Sequence, residues 1–271
     1  MSLTSFLKNK DVRESFKREF EKPSIKLYAE LLAPPLTKHY WLVGTAFDYL
    51  LRFYIKYQNP EAVETRWVSE YTLSSLQDNE IYRKVDKIIR DAKKNYSEFI
   101  KNGIMSYSLF KSVLLLAQVD AIYRAGIIDE TLGKIDEDDI EDLQNLISLV
   151  KPKMFKSKEV CLLNPEFGEA SQIVGGADCD LVIDETLIEI KTTKKIELTQ
   201  DYFNQLLGYY ILYKIGGING LSSKHEVKRL GIYFSRFAYL YTIEVQNIIN
   251  KNTFPDFIAW FEKRARQQYK F

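Results

Sequence analysis

Gly175-Gly176-Ala177-Asp178-Cys179-Asp180-Leu181-Val182-Ile183-Asp184-Glu185-Thr186-Leu187-Ile188-Glu189-Ile190-Lys191-Thr192-Thr193-Lys194-Lys195 is the stretch whose reading decides the fold. Two apolar, β-branched runs flank a short polar interruption, which is the pattern of a hairpin. Asp180 to Ile183 reads as one strand, Asp184-Glu185-Thr186 as the turn, and Leu187 to Thr192 as the second strand. Alternate side chains of a strand share a face. Leu187, Glu189 and Lys191 therefore point one way, and Ile188 and Ile190 point the other, into a core. An acid and an amine projecting together from a central strand are costly to bury alone, so such residues are usually paired, metal-bound or catalytic. Asp178 and Asp180 share a face of the facing strand, and closing the hairpin brings Asp180 toward Glu189. Carboxylate oxygens gathered in this way suit a hard divalent ion, Mg2+ or Mn2+, with the Lys191 ammonium beside it.

Outward from the hairpin, residues 152–271 alternate strands with helices. Lys151-Pro152 begins the change of period, and Val160 to Leu163 reads as a strand ended by Asn164-Pro165. Thr199 suits the N-cap of a helix that runs to about Ile215 and stops at Gly216-Gly217. Arg229 to Phe234 and Ala238 to Val245 read as further strands, and Phe254 to Gln268 as a closing amphipathic helix. Residues 1–151 are different, helical in pattern with no convincing strand. Ala33-Pro34-Pro35 breaks this region after a charged peripheral helix, and Trp41 to Tyr57 carries an apolar stripe of Phe47, Leu50, Leu51 and Tyr54. One or two helices are expected over 61–101. Ser106 to Gly126 is apolar on more than one side, and Asp136 to Val150 closes the half. The expected class is α/β (α+β mixed): a mixed sheet core in residues 152–271 flanked by helices. The large helical N-terminal region, 1–151, would pack on that sheet and wall a cleft rather than fold alone.

Asp180, followed on the next strand by Glu189-Ile190-Lys191, resembles the signature of the PD-(D/E)XK nuclease superfamily. That signature is an Asp at the start of one strand and Glu-x-Lys or Asp-x-Lys on the next. Its surroundings agree: Gly175-Gly176-Ala177-Asp178-x-Asp180 precedes it, and a helix carrying Gln205-x-x-x-Tyr209 follows, as in RecB-like exonucleases. The resemblance covers Glu159 to Val245, with one upstream element at Gly44 to Asp48. It implies a restriction-endonuclease-like core and a metal-dependent nuclease that hydrolyses DNA from an end, in repair or recombination. On that resemblance Asp180 and Glu189 hold the metal, with the Ile190 carbonyl as a third oxygen. Lys191 is the catalytic amine, and Gln205 and Tyr209 hold the water network and the DNA backbone. RecB-like nucleases often carry Gly-Thr-x-x-His on the upstream helix, where this chain has Gly44-Thr45-Ala46-Phe47-Asp48. Asp48 in place of His keeps an oxygen ligand suited to Mg2+ or Mn2+. Its other reading is a helix-surface pair with Arg52 four residues on, worth ~0.2–0.5 kcal/mol. The rival for the whole chain is a catalytically silent module of the same fold that binds nucleic acid or protein. Intact Asp180, Glu189 and Lys191 weigh against it.

Composition sets the bounds. Apolar residues make up 46% of the chain, enough for a core. No apolar run approaches the ~18 residues of a membrane span, and the first ten residues lack the apolar stretch of a signal peptide. Cys161 and Cys179 are too few for a disulfide framework or a four-cysteine cluster and read as small buried hydrophobes. A cytoplasmic location is expected. A net charge of +1 does not mark a nucleic-acid binder, but the lysines are grouped. Lys151, Lys153, Lys156 and Lys158 form one patch and Lys191, Lys194 and Lys195 another, both expected to flank the site. Asp136 to Asp142, acidic except for Ile140, reads as acids at the positive end of a helix. His39 and His225 have no spacing partner and read as satisfied or surface residues. Gly208 is expected to let a strand or a nucleotide approach closely.

Overall fold

The hairpin forms at the centre of a six-stranded sheet. The structure, a computed structural model, describes residues 2–24, 26, 28–126, 128 and 130–269. Its elements are, in chain order, α1 (Leu3–Phe6), α2 (Lys10–Glu19), α3 (Tyr40–Gln58), β1 (Val63–Glu64), α4 (Val68–Ser75), α5 (Asn79–Asn102), α6 (Tyr107–Ala125) and α7 (Glu137–Ser148). There follow β2 (Cys161–Leu163), α8 (Ala170–Ile173), β3 (Leu181–Ile183), β4 (Thr186–Lys191), α9 (Gln200–Gly216), β5 (Arg229–Phe234), β6 (Tyr239–Glu244) and α10 (Phe254–Tyr269). The strands lie in the order β1-β2-β3-β4-β5-β6. β1 with β2 and β4 with β5 are parallel, and the other neighbours are antiparallel. A parallel pair needs a long crossover, and α9 supplies it between β4 and β5.

Both faces of the sheet are covered, which explains why its strands are apolar on alternate and intervening residues alike. On one face Leu181, Ile188 and Ile190 pack with Phe47 and Leu51 of α3, Val113 of α6 and Leu143 of α7. On the other, Val182, Leu187 and Ile232 pack with Phe203 and Leu207 of α9, Phe261 of α10 and Phe6 of α1. Leu187 thus faces away from Ile188 and Ile190, as the alternation requires. Local signals set the ends of the helices. Ser106 and Gly126 frame α6, Thr199 caps α9, and Asp136 caps α7.

Four expectations need correction. Thr186 already pairs with Ile183, so the turn is Asp184-Glu185 alone. Asp184 takes φ 49, a left-handed conformation that Asp tolerates, and its carboxylate accepts the amides of Lys158, Glu159 and Val160. This places Lys158 at the turn, and Lys156 donates to the Gln58 carbonyl at the far end of α3. That end of β4 is ~16 Å along the strand from Lys191, so Lys156 and Lys158 do not flank the Glu189–Lys191 end. Val63–Glu64 joins the sheet from the helical half; two residues carry no readable period. A Cβ on Gly208 would lie 3.1 Å from Leu3 and 3.2 Å from Leu7, so the element that approaches there is α1.

One long-range clasp joins the helical half to the sheet. Arg236, in the turn between β5 and β6, is 1% exposed and donates to both Asp142 oxygens at 2.7 and 2.9 Å and to the Ala33 carbonyl. Asp142 and Asp139 lie on the buried side of α7, and Asp139 binds Thr37 and His39. Only the start of the acidic run serves as a cap. No helix among the described residues is long and apolar enough to cross a membrane.

Candidate active site

Antiparallel pairing of β3 with β4 puts the start of β3 beside the end of β4. Asp180 and Glu189 are brought together in this way. Glu189 and Lys191 project on the α9 side, where Gln205 and Tyr209, four apart, share one face of that helix. Lys191 Nζ donates to Glu189 Oε1 at 2.7 Å and to Gln205 Oε1 at 3.0 Å. Gln205 Nε2 donates to Glu189 Oε1 at 2.9 Å and to the Tyr209 hydroxyl oxygen at 2.8 Å. The Lys191 ammonium also lies over the Tyr202 ring, and Tyr209 stacks on Phe167. Every one of these bonds to Glu189 falls on a single oxygen. Glu189 Oε2 is buried with no partner.

Asp180 is fixed through one oxygen as well: its Oδ2 accepts the Ile190 amide at 2.6 Å. Burial raises its carboxyl well above the ordinary carboxylate range, and the charges of Glu189 and Asp48 push the same way. Burial disfavours the charge on Lys191, but Glu189 and Asp180 outweigh it and the ammonium holds its proton above the usual value. Burial also raises Asp178, which lies in the field of Arg124, Arg52 and Asp48.

The upstream helix reaches this group. Gly44 faces Thr192, just past β4, where an added Cβ would make ordinary contact at 3.8 Å. Glycine is therefore no steric necessity there. One turn on, Asp48 is paired through one oxygen only. Its Oδ2 pairs with Arg52 at 2.6 Å, while Oδ1 is buried without a partner and its charge is felt at Asp180. Arg52 is not at the surface; it lies over the Tyr49 ring with 7% of its side chain exposed. Tyr49 donates to Asp120 at 2.8 Å, and burial pushes the Asp120 carboxyl up to about 7. Sequence reading passed over Asp120 and Arg124. Their signal was an acid and a base four apart on a helix that is otherwise apolar nearly all round.

Unpartnered oxygens on Glu189 and Asp48, with Asp180 between their charges, make a donor set of the kind that suits Mg2+ or Mn2+. Among the described residues no group of three or more His, Cys, Asp and Glu forms a ready cage. Mg2+ asks for less, since it keeps several waters and takes one or two carboxylates. The histidines are elsewhere: His39 meets Asp139 at 2.9 Å and His225 meets Glu159 at 3.0 Å. Comparison of the chain with protein-family models, with curated proteins and with solved structures finds no match.

Proposed function

We propose that this protein is a metal-dependent nuclease with a restriction-endonuclease-like core, similar to RecB-like members of the PD-(D/E)XK superfamily, that hydrolyses DNA phosphodiester bonds from an end. The observation that carries the reading is the half-satisfied state of Glu189. Buried polar atoms are nearly always partnered, and an exception calls for an explanation. An ordinary structural Glu–Lys pair would use both oxygens; this one leaves Oε2 bare near Asp180, whose carboxyl is raised by burial first and then by the charges of Glu189 and Asp48.

Asp180, Glu189, the Ile190 carbonyl and Asp48 would hold Mg2+ or Mn2+, which when bound neutralises charge on the phosphate and makes water a better nucleophile. The protein supplies the rest. Lys191 is a charged donor at neutral pH, so its role is to stabilise negative charge that develops on the phosphate oxygens, not to accept a proton. Gln205 positions it, accepting from the ammonium through one end and bridging Glu189 and Tyr209 through the other. Tyr209, stacked on Phe167, anchors Gln205.

The test uses end-labelled single- and double-stranded DNA, linear and circular, with Mn2+, Mg2+ or EDTA. Stepwise shortening of linear DNA is expected with either ion and none in EDTA. Lys191→Ala should lower the rate about 10³-fold, the scale of losing one preorganised donor, with DNA retention unchanged. Cleavage that persists in chelator overturns the mechanism. DNA bound but never cut, with any ion, returns the protein to the silent-module reading.

A further inference from the structure

A cavity of about 960 Å³ lies in the helical half between α3, α6 and the start of α7. Its wall is apolar, built from Leu42, Ala117, Ala121 and Leu132, and Trp41 stands at its mouth with 56% of its surface exposed. The volume falls at the upper end of small-ligand sites, enough for one or two nucleotides and far too narrow for a duplex. The cavity neighbours the group already described without including it. Thr45 lines it three residues before Asp48, Asp120 lies in the field of Asp48, and Arg124 lies in the fields of Asp178, Asp120 and Asp48.

The charges around the rim sort into committed and uncommitted. Asp136 caps α7, Glu137 accepts from the Tyr107 hydroxyl, and Asp139 is taken by Thr37 and His39. Arg124 and Lys134 are exposed and enter none of the ion pairs found among the described residues, and the charges of Asp178, Asp120 and Asp48 act on Arg124. An uncommitted guanidinium beside buried carboxylates, opening onto an apolar recess with an exposed indole, is complementary to a phosphate joined to a flat apolar base.

We propose that this cavity is the subsite for the unpaired nucleotide at a DNA strand end, with the base against Trp41 and the apolar wall and its phosphate on Arg124. The inference rests on the nuclease reading for its orientation: the next phosphodiester then lies toward Asp180 and Glu189. It makes the substrate a single-stranded or frayed end, because a paired base does not fit the recess.

Binding is measured with the Lys191→Ala protein in EDTA, so no cleavage is needed. The probes are a single-stranded oligonucleotide with 2-aminopurine as its terminal base, a flush duplex of equal length, and free deoxyadenosine monophosphate. Stacking on Trp41 should quench the 2-aminopurine, and the unpaired end should bind about tenfold tighter than the flush duplex, the scale of one base–aromatic stack. Ala121→Phe, which fills the recess, and Arg124→Gln, at its mouth, should each remove that preference. Trp41→Leu should remove the quenching. No quenching, or a preference that survives both Ala121→Phe and Arg124→Gln, overturns the proposal. Displacement by free mononucleotide with no preference between ends overturns it too, in favour of a free-nucleotide site. A protein that shows the preference yet cuts nothing keeps this subsite and loses the nuclease reading. One that cuts flush and unpaired ends alike does the reverse.

Discussion

Arg236 with Asp142 and Glu189 with Asp180 are both groups of buried charge, and they are built in opposite ways. The first is closed. Arg236 and Asp142, 1% and 0% exposed at the side chain, meet through two parallel bonds, and a third guanidinium donor goes to the Ala33 carbonyl. The second is open. Two of its carboxylate oxygens, Glu189 Oε2 and Asp48 Oδ1, are buried without a partner, and burial, helped by the charges of Glu189 and Asp48, raises the Asp180 carboxyl. Desolvation is costly for both groups. The first recovers the cost within the fold and clasps the helical half to the sheet. In the second, Lys191 and Arg52 offset part of the cost, while Glu189 Oε2 and Asp48 Oδ1 stay unpartnered.

The largest effect expected from this contrast is on stability. Asp142→Asn leaves Arg236 charged, buried and half-paired, and should lower the unfolding free energy by about 3–5 kcal/mol in urea titration. Replacing both, Asp142→Leu with Arg236→Met, should recover most of that loss. A single mutant as stable as the parent would remove Arg236 from the role of clasp.

Asp120 gives the next effect, with a definite sign in pH. Its carboxyl is raised by burial from 3.8 to about 7, so between roughly pH 4 and 7 the folded form binds more protons than the unfolded one. Stability must then fall as pH rises through that window, by up to about 4 kcal/mol in total. Asp120→Asn should flatten the profile of unfolding free energy against pH. An unchanged slope would show that Asp120 is not the group responsible.

Asp180→Asn should act in the opposite direction to Asp142→Asn. It removes a charge that its neighbours repel and keeps an oxygen for the Ile190 amide. Without metal the variant should be more stable by about 1–2 kcal/mol, at the expense of activity. The gain should grow as pH rises beyond the ordinary carboxylate range, because a raised carboxyl destabilises the fold only as it ionises. A loss of stability at pH 9 would mean that Asp180 is paired like Asp142, and the contrast would fail.

Much of the site was legible because it is local. Asp180, Glu189 and Lys191 lie on one hairpin, whose register follows from strand alternation, and Gln205 and Tyr209 sit four apart on the helix that must follow. The helical half was harder. Asp142 and Arg236 are 94 residues apart, and the only hint was that Asp139 and Asp142 fall on the apolar side of α7 with Leu143 and Leu146. Two-residue β1 has no period to read. Gly208 was read as space for a strand or a nucleotide because sequence shows that room exists and not what fills it; the occupant is α1. Asp48 was framed as a choice between ligand and helix-surface pair; the Arg52 pair forms, but buried, and it leaves Oδ1 without a partner.

Whether the open carboxylates take a divalent ion decides what this group of side chains is for. Calorimetric titration of the chelator-treated protein with Mn2+, beside Glu189→Gln, measures this without DNA and without catalysis. The parent should show saturable binding, and Glu189→Gln should lose it; because the Asp180 carboxyl is raised, binding should be weaker at pH 5 than at pH 8. A parent that binds no Mn2+, or a Glu189→Gln protein that binds it as the parent does, would contradict the account.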